Sequence, residues 1–160
     1  MLRDYFNGRG RNLRKYHTPK GCYIVKLVIA IDDRGGMAFN KRRVSRDKLM
    51  IADFAEYAAD ATVYMEPYSE ELFAEANLNI ILSENPLKFA EAGDFVFVER
   101  LAPLPVAELS DEIVIYKWNR RYPFDVNMDF IPEKLGFKLF SVYEFKGNAH
   151  DKITREVYKK

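Results

Sequence analysis

The order of apolar and polar stretches along the chain predicts strands and helices that share one core. The longest apolar run, YIVKLVIAI within 22–32, has little polar interruption, which is typical of a strand buried on both faces. Shorter apolar runs bounded by turn residues predict further strands at 62–65, 79–83, 95–98, 112–118, 137–145 and 153–158.

Two segments have the apolar spacing of helices. Apolar residues recur at helical spacing in 46–60, and Ser45 is of the type that caps a helix N-terminus. A shorter helix is predicted at 69–76. The alternation of strands and helices predicts parallel pairing around a central strand at 22–31, with the helices on the faces of the sheet. The last two strands, separated by a turn at 146–148, are predicted to pair antiparallel.

Residues 1–20 form a separate basic segment, which we call the arm. Two short runs with aromatic residues flank Asn7-Gly8-Arg9-Gly10, and Asn-Gly supplies the positive φ angles that tight hairpin turns require. This favours a basic β-hairpin, with a basic tail without regular structure as the alternative. The chain then divides into the arm and a single α/β body at 21–160.

Composition limits the class of protein. With 160 residues and 48% apolar residues, the chain can bury the core of one domain. The single cysteine, Cys22, excludes a disulfide scaffold and a zinc site with four thiolates. No apolar run approaches the roughly 20 residues of a membrane span. We therefore expect a cytoplasmic protein without a membrane partner.

Charge is distributed unevenly along the chain. The net charge is only +1, but the arm carries +5, residues 21–48 carry +4 and residues 49–112 carry −12. Such a division places opposite fields on different surfaces, which steers charged partners.

The order of the elements and several strings resemble dihydrofolate reductases. VIAIDDRGGMAFNKR (28–42) is similar to the first strand and mobile loop of that family, TVYMEPYSEELF (62–73) to its next strand and helix, and NIILS (79–83) to its third strand. SRDKL (45–49) resembles the start of the first long helix, where an acid holds the pterin ring, and Asp47 falls on that position. The resemblance covers about residues 23–160 and implies a ligand-binding role for Asp47.

The chain departs from this family where the cofactor binds. Glu66-Pro67-Tyr68-Ser69 stands where the family has Gly-Arg-x-Thr for the cofactor phosphates, and an acid there repels a pyrophosphate. No Gly-Gly pair follows residue 36, although the family uses one where backbone approaches the cofactor. Asn77 and Leu78 stand where the family has an arginine for the folate tail. We therefore predict a shortened dihydrofolate reductase-like α/β fold, a mixed sheet with two flanking helices and an N-terminal basic hairpin, without a cofactor.

Basic residues beside aromatic ones give the strongest signal for a partner. Arginine and lysine neutralise phosphates, and aromatic rings stack on unpaired bases. The alternative is a set of solvated charged surfaces. The candidate nucleic-acid-binding residues are Arg3, Arg9, Arg11, Arg14, Lys15, Lys41, Arg42, Arg43, Arg120 and Arg121.

Catalytic candidates are few. A ribonuclease that needs no metal requires a base, an acid and cations around the phosphate, and His17 with Tyr16 could supply the first two. His150 is predicted to be a solvated turn residue. Asp32 and Asp33 are predicted to form a turn rather than a metal site, so no metal is expected. Asp47 has the alternative role of a favourable charge at a helix N-terminus.

The layout and residues 2–17 also resemble type II anti-CRISPR proteins that cause guide-RNA truncation, a small family carried on mobile elements of Gram-positive bacteria. That resemblance implies an RNA-contacting inhibitor of a CRISPR effector nuclease and its guide RNA, acting by guide-RNA cleavage through the arm. One alternative is a ligand-binding protein or reductase with a pocket around Asp47. Another is a non-enzymatic interaction protein. Ribonuclease activity and the oligomeric state are left open.

Overall fold

The computed structural model describes residues 25–160, which form two sheets. The ten strands are β1 Val25–Ile31, β2 Gly36–Phe39, β3 Arg42–Arg43, β4 Thr62–Met65, β5 Asn79–Leu82, β6 Phe95–Phe97, β7 Ser110–Lys117, β8 Val126–Asn127, β9 Lys138–Phe145 and β10 Ile153–Lys159. The main sheet has the order β5-β4-β6-β1-β7-β10-β9, and the small sheet has the order β3-β2-β8.

Strand β1 lies at the centre of the main sheet, as its apolar sequence predicted. It pairs in parallel with β6 and β7, and Leu27, Val28 and Ile29 are all fully buried. Successive side chains of a strand point to opposite faces, so β1 contributes to a core on each side of the sheet. Strand β10 pairs antiparallel with both β7 and β9, which confirms the predicted C-terminal hairpin.

Helix α1 spans Lys48–Ala58 and packs Met50, Phe54 and Ala58 against one face of the main sheet. Asp47 is its N-cap: the residue has extended backbone and its side chain accepts a hydrogen bond from the N–H of Leu49. The prediction that Ser45 caps this helix was therefore wrong.

The remaining helices are short. The second predicted helix is a 3₁₀ helix, Pro67–Phe73, which lies on the same face of the sheet as α1. The other face is covered by α2 (Pro86–Phe89), α3 (Leu104–Ala107) and the segment that contains a 3₁₀ helix at Pro132–Leu135. Each of these four short helices has a proline in its first two positions, where the missing N–H costs no helical hydrogen bond.

The small sheet brings two loops together. Strand β2 pairs with β3 in a hairpin and with β8 on its other side, so the loop after β1 lies against the loop after β7. Gly36 permits this close approach, because a Cβ atom there would lie 2.4 Å from Cδ2 of Phe124.

The predicted arm and the boundary between arm and body lie outside the described residues and stay predictions. Among the helices of residues 25–160, none is both long and apolar enough to cross a membrane.

Candidate functional site

The candidate site lies at the carboxyl ends of the parallel strands. Asp32 follows β1, Glu66 follows β4, Glu99 stands two residues beyond β6 and Trp118 follows β7, and all four are buried. Carboxyl ends of parallel strands meet at one edge of a sheet, which is where open α/β folds bind ligands. The segment before α1 and the loop between β9 and β10 complete this edge.

Asp47 holds His150 in a buried pair. Nδ1 of His150 lies 2.9 Å from Oδ2 of Asp47, and the two side chains are 1% and 0% exposed. Three backbone N–H groups also donate to the carboxylate, those of Leu49 and Asn148 to Oδ1 and that of Ala149 to Oδ2. Burial alone would raise the pKa of Asp47, but these hydrogen bonds outweigh it and lower the pKa to about 2.

The other nitrogen of His150 faces two hydroxyl groups. Nε2 lies 2.9 Å from Oγ of Ser45 and 3.1 Å from the hydroxyl of Tyr122. The ionised Asp47 can only accept, so Nδ1 donates to it, and in the neutral form of the ring Nε2 presents its lone pair to these hydroxyls. Trp118 stacks on the imidazole at 4.7 Å between ring centroids and fixes its plane. The prediction that His150 is solvated was wrong, because only 3% of the residue is exposed.

A second polar cluster borders this network. Arg43 forms a bidentate ion pair with Glu99, with Nε to Oε1 at 2.6 Å and Nη2 to Oε2 at 3.1 Å. Ser69 donates to Oε2 of Glu99 at 2.6 Å. The ring of Tyr68 contacts the guanidinium of Arg43, which lies 4.4 Å from its centroid. The charge of Arg43 is therefore neutralised by Glu99 inside the protein.

Glu66 also has a cationic neighbour. Nε of Arg100 lies 3.6 Å from Oε1 of Glu66, and the same guanidinium lies 3.9 Å from the centroid of the Tyr68 ring. Arg100 therefore balances the negative charge of Glu66.

A small cavity separates the two clusters. Its volume is about 10 Å³, which is room for about one water molecule, and its polar lining includes Arg43, Ser45, Asp47 and Glu99. Trp118 also lines this cavity, and its buried Nε1–H has no hydrogen-bond partner within residues 25–160.

A larger groove opens between α1 and the 3₁₀ helix Pro67–Phe73. Its volume is about 350 Å³, and it shares part of its wall with the small cavity. Its lining residues are Arg46, Asp47, Lys48, Ile51, Ala52, Glu71, Leu72, Ala74, Glu75 and Ala76. The groove therefore adjoins the Asp47–His150 network.

Asp32 closes the turn after β1. Oδ1 accepts from the N–H groups of Arg34 and Gly36 at 2.8 and 2.7 Å, and Oδ2 accepts from the N–H of Tyr122 at 2.9 Å. Asp32 thus holds the turn and ties Tyr122 to the site. No group of three or more histidine, cysteine, aspartate or glutamate side chains in the described part of the chain is arranged to hold a metal ion.

The two predicted basic segments of the body lie on two neighbouring loops, the β2–β3 hairpin and the loop after β7. Lys41 and Arg42 are exposed in the β2–β3 hairpin, and Arg120 and Arg121 are exposed in the loop after β7. The N–H of Asn40 in the hairpin donates to Oδ2 of Asp125 at 3.1 Å, which joins the hairpin to the loop after β7. The N–H of Asp33, in the turn between β1 and β2, donates to the carbonyl of Arg120 at 2.8 Å. Arg43 differs from these four because it is partly buried against Glu99.

The other predicted site residues, Arg3, Arg9, Arg11, Arg14, Lys15, Tyr16 and His17, lie outside the described residues. Their assignment to RNA binding and cleavage stays a prediction.

Comparison with known proteins supports the fold alone. No family model matches the chain, and no curated protein matches it. Among solved structures, it is similar to a dihydrofolate reductase from Enterococcus faecalis complexed with NADP(H) and RAB-propyl, with a TM-score of 0.58, 11% identity, and coverage of 85% of this chain and 95% of that chain. This confirms the predicted dihydrofolate reductase-like fold. None of the comparisons supports the anti-CRISPR resemblance.

Sequence reasoning missed Ser45, Tyr122 and His150 as members of one site. His150 lies 103 residues from Asp47, so no local spacing relates them. The one signal in the sequence was compositional: the chain has only two histidines, and His150 follows a glycine-containing turn close to the last strand.

Proposed function

We propose that the chain is a small-molecule-binding protein whose ligand occupies the groove between α1 and the 3₁₀ helix Pro67–Phe73. The groove volume of about 350 Å³ carries this proposal. Ligand pockets of proteins have volumes of about 300–1,000 Å³ and combine an apolar lining with a few polar groups. The dihydrofolate reductase-like fold supports the same class, since its sites lie at this edge of the sheet.

The lining defines the kind of ligand. Ile51, Ala52 and Leu72 provide apolar surface, while Lys48 and Glu75 provide charges of opposite sign. Arg46 and Glu71, also in the lining, are 66% and 67% exposed and lie 3.9 Å apart. Such a groove suits a molecule with an apolar ring system and a charged group at its edge, a description that dihydrofolate fits.

The ligand is proposed to lie beside Asp47 and not to bind its carboxylate. Four donors of the chain already occupy that carboxylate, and its side chain is fully buried. A ring held by Asp47 would have to displace His150 or a backbone N–H group, which costs the hydrogen bonds of a buried charge.

Calorimetric titration with dihydrofolate and with NADPH tests this function. We expect saturable, micromolar binding of dihydrofolate and no measurable binding of NADPH near micromolar concentrations. Ala52→Trp should fill the groove and weaken dihydrofolate binding at least about tenfold, a loss of about 1.4 kcal/mol. Leu49→Trp is the matched control, because Leu49 is an exposed residue of α1 that does not line the groove.

The proposal fails if dihydrofolate does not bind to the unchanged chain. It also fails if the Ala52→Trp variant binds dihydrofolate as tightly as the Leu49→Trp variant and the unchanged chain do. A micromolar complex with NADPH would instead favour a reductase.

A second candidate is the RNA-contacting function, with a CRISPR effector nuclease and its guide RNA as the proposed target. Lys41, Arg42, Arg120 and Arg121 are exposed on adjoining loops, and this favours a phosphate-contacting surface. Phe39 is 46% exposed on the same hairpin and offers a stacking surface for a base. Guide-RNA cleavage by His17 and Tyr16 is the proposed effect. The salt dependence of RNA binding tests the surface.

A further inference from the structure

We infer that Ser45 is a nucleophile for acyl transfer, with His150 as its general base and Asp47 as the residue that positions His150. Oγ of Ser45 lies 2.9 Å from Nε2 of His150, and Nδ1 of His150 lies 2.9 Å from Oδ2 of Asp47. A nucleophile within hydrogen-bond reach of a base, and a base oriented by a third group, is the arrangement that activates a serine. This activity is separate from the proposed ligand binding and from RNA binding.

The three residues differ in exposure in the way that this chemistry requires. Asp47 and His150 are buried, which protects their hydrogen bond from water, whereas Ser45 is only partly buried and can meet a substrate. The ionised carboxylate stabilises the imidazolium that forms when His150 takes a proton. Trp118, stacked on the imidazole, keeps Nε2 directed towards Ser45.

Tyr122 supplies a hydrogen-bond donor at the reacting atom. Its hydroxyl lies 3.1 Å from Oγ of Ser45 and 3.1 Å from Nε2 of His150. When Ser45 donates to Nε2, the proton of Tyr122 is free to donate to the oxyanion that forms on the carbonyl group attacked by Oγ. Preorganised donors of this type stabilise the tetrahedral intermediate of acyl transfer.

The reaction is ester hydrolysis in two steps. Oγ of Ser45 adds to the ester carbonyl carbon while its proton passes to Nε2 of His150. The C–O bond of the ester then breaks, and the alcohol leaves with that proton, so that Ser45 carries the acyl group. Water next adds to the acyl carbon and gives a proton to Nε2. The bond between the acyl carbon and Oγ breaks, Oγ regains the proton and the carboxylic acid leaves.

The small cavity beside Ser45 limits how the substrate approaches. Its volume of about 10 Å³ holds about one water molecule, such as the one that reacts in the second step, and is too small for an acyl group. The ester therefore has to reach Oγ from the exposed side of Ser45, which is only partly buried.

Covalent labelling of the full chain with a fluorophosphonate, followed by peptide mass spectrometry, tests the nucleophile directly. We expect the label on Ser45. We also expect Ser45→Ala to lower kcat/KM for p-nitrophenyl acetate by at least about 100-fold. His150→Ala, which removes the general base, should lower kcat/KM by a similar factor. Ser141→Ala is the matched control, because Ser141 is a partly buried serine on β9, and it should leave both readouts unchanged.

A folded chain that takes no label on Ser45 overturns the inference, and so does a Ser45→Ala variant that hydrolyses the ester as fast as the unchanged chain. These results concern the nucleophile alone, whereas dihydrofolate calorimetry concerns the groove. The two failures are therefore distinguishable.

The positioning role of Asp47 has a spectroscopic test. In the unchanged chain, ¹⁵N NMR of His150 should show the proton on Nδ1. Asp47→Asn presents an amide that can donate to Nδ1, so the proton should move to Nε2 and labelling of Ser45 should fall by at least about 100-fold. If the Asp47→Asn variant keeps the proton on Nδ1 of His150 and Ser45 is labelled as in the unchanged chain, Asp47 does not have this positioning role.

Discussion

Asp47 joins the start of α1 to the loop between β9 and β10 through four hydrogen bonds. It satisfies an N–H group of the first helical turn and at the same time holds His150 and the backbone of Asn148 and Ala149. A buried carboxylate with this many donors is stable only as the anion, and the low pKa follows from that. Folding and site geometry therefore depend on one side chain.

We predict that stability depends on the ionisation of Asp47. The pKa is about 2 in the folded chain against 3.8 as the ordinary value, so the difference stabilises the fold by about 2 kcal/mol at neutral pH. Because the folded pKa is the lower one, this stabilisation is present above about pH 4 and is lost as the pH falls through about 2. Urea unfolding of the chain and of Asp47→Asn at several pH values measures it.

The free energy of unfolding of the unchanged chain should exceed that of Asp47→Asn at neutral pH, and this difference should become smaller below about pH 4. Asp151→Asn is the control, because Asp151 is an exposed carboxylate in the same loop. A difference that stays constant from about pH 7 to about pH 2 would contradict the assignment.

The loop between β9 and β10 is the element that completes the site. The N–H of Gly147 donates to the carbonyl of His150 at 2.9 Å, which closes the turn. A Cβ atom at Gly147 would lie 2.6 Å from Oδ2 of Asp47 and 2.7 Å from Cδ1 of Ile153. The loop can approach α1 this closely only because residue 147 has no side chain.

Gly147→Ala should therefore separate the loop from α1. We expect a decrease of about 1–3 kcal/mol in the free energy of unfolding, the cost of overpacking a tightly packed position. The Asp47–His150 hydrogen bond should lengthen, and labelling of Ser45 should decrease. Thermal unfolding and the labelling assay measure the two effects.

Asn148→Ala is the control for Gly147→Ala, since Asn148 contributes its backbone N–H to Asp47 and its side chain is exposed. Equal stability of the Gly147→Ala variant and the unchanged chain would mean that the loop does not pack as described.

At the scale of the whole molecule, the charges of the chain separate by sequence segment. The segment 49–112 carries −12, while the exposed cations of the β2–β3 hairpin and of the loop after β7 lie on two loops that the small sheet joins. Opposite fields on one small protein orient a polyanion towards the basic loops.

For RNA, this arrangement predicts a specific salt dependence. Arg120→Ala combined with Arg121→Ala should reduce the log–log salt slope of single-stranded RNA binding by up to about 1.4, because each phosphate that a cation neutralises adds roughly 0.7 to that slope. Lys134→Ala combined with Lys138→Ala removes the same charge from exposed positions that follow β8. If both double variants change the slope equally, binding follows net charge and not the proposed surface.

The sequence by itself determined the seven strands of the main sheet, because a strand's apolar run or alternation is a local property; it did not indicate β2, β3 and β8 of the small sheet. It placed β1 at the centre, from its uninterrupted apolar sequence, and it predicted the antiparallel pair β9–β10 from the turn between them. The strings shared with reductases also indicated the correct fold and singled out Asp47.

Only the tertiary structure decided which residues meet. Ser45 and Asp47 are both of the type that caps a helix, and docking of the loop at 146–150 onto α1 decided that Asp47 caps it. His150 became buried because its partners lie at the start of α1 and on the loop after β7, and Arg43 paired with Glu99, 56 residues away. Interactions between distant segments depend on how the sheet orders its strands, and local periodicity carries no information about that order.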